Sequence, residues 1–460
     1  MARPKLRQAL LSLAFWPALV AMSVAAEPQR DAANEPEVAS SLAANIGDKV
    51  LPRRESVTVR DGDKKKQIAS TELFWPAEVL ESDARWLHVK SPESESDVLA
   101  TDVVAIEAAV EFFSSEIEVE PTAWKHKLRC LARQWQGDFD GALVDIEVAV
   151  RLAPRDPELH CQRGVLLLAK REAEPAIAAF TAALRANPQF ADAYRRRSEA
   201  WLATGNAQRA IDDLSAVIAL EPDDLLALLE RAKLLALAGE FDRAIADFST
   251  LLERNPGNFE ILRARAELRL LAKRTEEGIA DLTEILKVRP GNTRVLYLRG
   301  LAYGQDGAHT KALADFSTIL ELDIANTEAY LARAAVYLKM ERYDKALRDL
   351  AEIIRLEPRN ALAYYQQALI WATCPIDKYR DGPRAVEAAR EACLLTNWSQ
   401  ALCLMALAAA CAETGNFEDA VLWQTKAQDM IPTEERAAFQ SRLDCYTAQK
   451  PFRDEGTKQR

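Results

Sequence analysis

Apolar and polar positions along the chain follow two rhythms. From Ile46 to about Ile106 they alternate over short spans, as in "SVTVRDGD", "WPAEVLES" and "RWLHVKS". A period of two belongs to half-buried β-strands. From Ala108 onward apolar residues recur every three or four positions, the spacing of one helical face. "GEFDRAIADFSTLLERNPGN", Gly239 to Asn258, shows the second rhythm: Ile245, Phe248, Leu251 and Leu252 form a stripe. Gly239 opens this segment and Pro256-Gly257-Asn258 closes it. The same pattern stands 34 residues earlier as "GNAQRAIDDLSAVIALEPDD" and 68 later as "GAHTKALADFSTILELDIAN". A helical repeat array behind a small β region is therefore expected.

In the β region five short strands are expected, closing with "DVVAI" and separated by turns such as Asp61-Gly62-Asp63 and Ser82-Asp83. The skeleton "PAEV…RWLHV…DVV" resembles a bacterial SH3-like domain, which implies a small all-β barrel over residues 43–106. The glycine-tryptophan pair usual before the last strand of that family is replaced here by "SESDVLATDVV". Trp75 and Trp86 either line a ligand groove or fill the barrel. Next, "AIEAAVEFFSSEI" places Ile106, Val110, Phe113 and Ile117 on one face of a helix that caps the helical region behind it, over 107–121.

The repeats begin at Ala123, Pro157, Ala191, Leu225, Phe259, Thr293 and Thr327; an eighth starts at Ala361 with a five-residue insertion, and a ninth at Ala401. The eighth position is always small, from Cys130 and Gly164 to Gly300 and Ala408. The twentieth is Ala or Gly, as at Ala244 and Gly278; the twenty-fourth is a large apolar knob in the seven regular repeats, such as Phe180, Phe248 and Phe316. Proline recurs at the thirty-second, as at Pro154, Pro222 and Pro290, with Ile324 the departure among the regular repeats. Small residues let two helices touch, and proline ends the second of each pair.

This pattern resembles the tetratricopeptide repeat. The resemblance implies nine helix–turn–helix units over 123–434, stacked as a superhelical α-solenoid, with a capping helix and loose tail over 435–460. One such hairpin cannot bury its own apolar face, so neighbours must share a core.

Two positions are less generic. The seventh is Arg in all seven regular repeats and the twenty-third is Asp in six. The expected pairs are Arg129–Asp145, Arg197–Asp213, Arg231–Asp247, Arg265–Asp281, Arg299–Asp315 and Arg333–Asp349, with Arg163 facing Ala179. Matched partners favour a structural ladder over a row of ligand-binding arginines.

The resemblance also implies that first helices line a concave groove through positions 2, 5, 9 and 12. Residues placed there include Arg195, Glu199, Lys233, Arg263, Glu267 and Tyr297. The family's clamp for a terminal carboxylate uses Lys at position 5 and Asn at position 9; only Lys127 matches, and no Asn stands at 9. A largely apolar groove with a mixed-charge middle suits a peptide segment of a partner protein.

Composition narrows the chemistry. With 16 glycines in 460 residues the chain offers no glycine-rich phosphate loop. The four histidines, His88, His126, His160 and His309, lack metal-ligand spacing, and no nucleophile elbow occurs. No enzyme activity, cofactor or metal is expected.

Seven cysteines leave one unpaired; Cys393 and Cys403 fall where neighbouring units face each other and are candidates for a disulfide, with buried thiols the alternative. Arg3, Lys5 and Arg7, the apolar run Ala9–Ala21 and the small residues Val24-Ala25-Ala26 read as a cleaved leader over 1–26, with a retained anchor as the alternative. A polar spacer comes next, over 27–42. Loss of the leader takes the formal net charge from −11 to −14, unsuited to nucleic acid.

The expectation is an exported protein, periplasmic or secreted, with no stable membrane span after cleavage. It acts as a non-catalytic scaffold for protein partners. The alternatives are cell-wall attachment through the β domain and an accessory subunit of an envelope enzyme.

Overall fold

The structure, a computed structural model, describes residues 47–61, 64–69, 76–82, 85–90 and 95–454. The expected leader and spacer, and Trp75, lie outside these residues. The chain forms two compact units, Met1–Asp247 and Phe248–Arg460.

The first unit opens with seven antiparallel strands: β1 (Lys49–Pro52), β2 (Ser56–Asp61), β3 (Lys64–Ala69), β4 (Ala77–Ser82), β5 (Trp86–Lys90), β6 (Glu95–Leu99) and β7 (Val103–Ala105). Their order is β3-β2-β6-β5-β4-β1-β7. Five strands were expected and seven are present among the described residues. The pattern misses β3, "KKKQIA", because it has no alternation; pairing with β2 from Ser56↔Ala69 to Asp61↔Lys64 holds it. It also misses β6, which lies in the polar run "ESDVL" and is fixed between β2 and β5.

Among the described residues the outer strands β3 and β7 do not pair with each other, so the element is a sheet and closure into the expected barrel is not observed. Its core is Val50, Val57, Val59, Ala77, Val79, Leu87, Val89, Val98 and Val103. Trp86 is buried, with Arg60 and Lys65 over its ring at 5.3 and 5.8 Å. Buried Asp102 accepts from the Thr58 amide at 2.8 Å and ties the start of β2 to β7.

Helix α1 (Ile106–Val119) buries Ile106, Ala109 and Phe113; Val110 and Ile117 of the expected face are only half-buried. These three join Leu51 and Val104 of the sheet to Leu128 and Ala132 of the first hairpin in one core. The first unit continues with hairpins α2 (Ala123–Trp135)/α3 (Phe139–Leu152), α4 (Pro157–Ala169)/α5 (Ala173–Ala186) and α6 (Ala191–Ala203)/α7 (Ala207–Leu220). Then come α8 (Leu225–Ala238) and the start of α9 (Phe241–Arg254), within which the unit boundary falls.

The second unit carries α10 (Phe259–Leu271)/α11 (Thr275–Val288), α12 (Thr293–Gln305)/α13 (His309–Leu322), α14 (Thr327–Lys339)/α15 (Tyr343–Leu356), α16 (Ala361–Thr373)/α17 (Gly382–Leu395) and α18 (Ala401–Glu413)/α19 (Phe417–Asp429), closed by α20 (Thr433–Thr447).

Each hairpin is built from the small positions. A Cβ added to Gly300 would stand 2.7 Å from the Phe316 ring, and one on Gly164 2.5 Å from Phe180. The knob thus sits directly on the small residue of its own hairpin. The turns between helices use a left-handed residue at the fifteenth position: Gly137, Gly205, Gly239, Gly307 and Gly415, but also Arg171, Lys273 and Glu341. Gly239 therefore ends α8 and does not open the next helix.

The last residue of most regular repeats is Asp or Asn, and it caps the next first helix, as Asn292 Oδ1 does from the Val295 amide at 3.1 Å. Where Ile324 replaces proline, Asp323 makes the turn by accepting from the Ala325 amide at 3.1 Å. The tail expected to be loose is tied down over Phe452–Asp454.

Candidate functional site

In six of the seven regular repeats the arginine at the seventh position is held by an aspartate of its own hairpin. Arg299 Nε and Nη2 reach the two oxygens of Asp315 at 2.9 and 2.7 Å. Arg333 holds Asp349 at 2.8 and 2.7 Å, Arg265 holds Asp281 at 3.0 and 2.8 Å, and Arg197 holds Asp213 at 2.8 and 2.7 Å. Arg231 meets Asp247 at 2.9 and 2.7 Å, and Arg129 meets Asp145. The aspartates are all buried, so each carboxylate needs this fork.

The remaining nitrogen, Nη1, donates backward to a hydroxyl of the preceding element: Ser114 for Arg129, Thr181 for Arg197, Ser215 for Arg231, Ser249 for Arg265, Thr283 for Arg299 and Ser317 for Arg333, at 3.0–3.1 Å. The pair therefore closes one hairpin and fastens it to the one before. For four of the six, Ser215, Ser249, Thr283 and Ser317, the signal is a Ser or Thr two residues after Asp in "DLSA", "DFST" and "DLTE".

Asp145 and Asp281 carry a second arginine each, Arg133 at 2.8 Å and Arg269 at 2.6 Å. Asp145 is also reached by His126 Nδ1 at 3.3 Å. Arg163 stands apart: its Nε is buried with no hydrogen-bond partner, and its repeat carries Ala179 where the others have aspartate.

The six groove candidates divide between the units. In the first, Glu199 and Lys233 are exposed, while Arg195 is held by the cap Asp224 and by Glu221 at 3.0 Å. Glu230, absent from the sequence-based set, sits among them: burial, then the Glu199 carboxylate, pushes its carboxyl above the ordinary range. In the second, Arg263 lies between Glu260 at 2.6 Å and Glu267 at 2.9 Å. Glu267 is buried and its acid is pushed up by that burial despite Arg263. Tyr297 is half-buried against Phe316, ring centroids 5.9 Å apart. Glu199 and Lys233 are thus open to a ligand, whereas Arg263 and Glu267 are spent on each other.

A pocket of about 480 Å³ lies on the last hairpin, lined by Trp398, Leu404, Trp423, Lys426, Asp429 and Met430. Cys393 and Cys403 are free and buried. Burial, and then the nearby Cys403, pushes the Cys393 thiol up to about 12. Among the described residues no group of three or more His, Cys, Asp or Glu is placed to hold a metal. No described helix is long and apolar enough to cross a membrane.

Residues 161–224, 201–268, 235–302 and 327–360 match the tetratricopeptide repeat family. No curated protein matches the chain. Similar solved structures include a tetratricopeptide repeat protein from Parabacteroides merdae, 21% identical, covering 56% of this chain and 98% of that one with a TM-score of 0.40. MamA from Desulfovibrio magneticus, from residue 41 to its end, is 22% identical over 37% of this chain and 96% of its own, TM-score 0.33. The first repeat domain of Spaghetti (RPAP3), bound to the HSP90 peptide SRMEEVD, is 26% identical over 25% and 94%, TM-score 0.25. Residues 161–302 and 327–360 thus read as tetratricopeptide repeats, units that typically mediate protein–protein contacts and are generally non-catalytic. The family matches lie within residues 161–360 and do not reach the sheet.

Proposed function

We propose that this repeat protein is a scaffold that holds a peptide segment of a partner protein along the face of its first helices. The observation that carries the reading is the division of labour among charged residues. Six of the seven recurring arginines and their aspartates are consumed by hairpin joints, whereas Glu199 and Lys233, which differ from copy to copy, stand exposed near Glu230, whose acid is pushed up by burial. An extended or helical segment with charges of both signs fits such a face.

A photo-crosslinker at residue 199 or 233 tests this in the native host. It should trap one polypeptide, and the same group at Asp212, exposed on a second helix, should not. Equal trapping from both faces would remove the first-helix face as the binding surface. We further infer export from the basic start and apolar run of residues 1–26. Fractionation of the host into cytoplasm and envelope, followed by sequencing of the mature end, tests that. A chain retained in the cytoplasm with its leader attached would refute it.

A further inference from the structure

The inserted turn of the eighth repeat and residues 451–454 meet at one place, the end of α16. A helix leaves its last carbonyls without intrahelical partners, and its partial negative charge there favours a cation. Here the free carbonyls find donors from outside the helix. The Asp381 amide donates to Trp371 O at 2.9 Å, and Arg380 Nη1 donates to Cys374 O at 2.9 Å; both belong to the insertion. The other two are taken by the chain's final described residues. Arg453 Nη1 donates to Ala372 O at 3.2 Å, and the Asp454 amide donates to Thr373 O at 2.9 Å.

Glu413, with 13% of its side chain exposed, stands between the two segments. It meets Arg380 Nε at 3.1 Å on one oxygen, and its other oxygen, which takes no hydrogen bond, pairs by charge with Arg453 Nη1 at 2.5 Å. Phe452 is half-buried at the edge of the core, with Arg442 over its ring at 4.9 Å.

Residues 451–454 are neither helix nor strand, and a short link joins them to α20. They therefore bind as an extended peptide does: one aromatic anchor, one guanidinium between a carboxylate and a helix end, and one backbone amide. We propose that this seat is a peptide-recognition site whose resident ligand is the chain's own 451–454 segment. Extended segments of a partner with the same chemistry compete for it: an aromatic residue, then arginine, then any residue with a free amide. The insertion builds the seat, because Arg380 and Asp381 occupy the two carbonyls that the ligand does not. This site is built from the ends of α16 and α18 with the insertion and uses none of the groove residues named above.

A handful of contacts holds the segment, so tethering supplies much of its occupancy. A free peptide with the same contacts is expected to bind with a Kd of ~0.1–1 mM. The test uses fluorescence anisotropy with a labelled Pro-Phe-Arg-Asp-Glu-Gly peptide and three proteins: the full chain, a chain ending at Lys450, and the full-length Arg453→Ala variant. Circular dichroism establishes that each is folded.

The shortened chain and Arg453→Ala should bind the peptide at least about 10-fold more tightly than the full chain, whose own segment competes. Peptide with alanine in place of arginine should not bind, and Glu413→Gln in the shortened chain should abolish binding. The proposal is overturned if folded shortened chain and folded Arg453→Ala ignore the peptide, or if all three proteins bind it equally. It is equally overturned if both variants fail to fold, since the segment would then be part of the core.

Discussion

Arg163 is the clearest single residue in the array, because its six counterparts define what it lacks. Its Nε is buried without an acceptor, and a buried donor left unsatisfied costs about 1–3 kcal/mol. Ala179→Asp supplies the missing carboxylate and should raise the stability of the first unit by about 1–2 kcal/mol in urea unfolding. Asp213→Ala, which strands Arg197, should lower it by about 3 kcal/mol. Destabilisation by Ala179→Asp would mean that Arg163 is not presented as Arg197 is. Glu230 makes a second case, with a pH dependence. Its folded pKa lies above the ordinary 4.5, so the protonated form is the one the fold prefers. The contribution is fully present below that unfolded value and is lost as pH rises through the folded pKa. Glu230→Gln should therefore stabilise the chain at neutral pH, with the gain fading toward pH 4 and below; a gain independent of pH would point to packing instead.

At the scale of elements, the helices are legible in the sequence and their ends are less so. Small, knob and proline positions recur by residue type, so their roles can be read without knowing any partner. A turn residue is read by its backbone angle, which residue type only biases. Lys273 does the work of Gly239 at φ 62°, a left-handed conformation that costs a side chain about 1 kcal/mol. Lys273→Gly should therefore raise stability by up to about 1 kcal/mol, the helix remaining intact by circular dichroism. Asn292→Ala removes the cap of α12 and should cost about 1 kcal/mol. No change on that substitution would mean that water caps the helix end equally well. The strands β3 and β6 were not legible for a related reason: their residues carry no alternation, and what makes them strands is the neighbour they pair with.

Across the first unit, the sheet and the repeats are one folding problem, because Phe113 belongs to both. It is fully buried in one cluster with Leu51 and Val104 of the sheet and Leu128 and Ala132 of the first hairpin. The sequence placed Phe113 on the buried face of a capping helix, but its neighbours are set by the strand order, which no local pattern encodes. The groove was legible only in part for the same reason. Glu267 reads as a groove residue by its position, yet Arg263 one turn away draws it into the fold. Phe113→Ala should cost about 3–5 kcal/mol. Its effect should spread in hydrogen exchange to the amides of β1, β7 and α2 together. In a stack whose units touch only their neighbours, Phe316→Ala should instead raise exchange within α12–α15. If Phe113→Ala loosens α2 while the sheet amides keep their protection, the sheet stands on its own core of valines, and α1 is merely its neighbour.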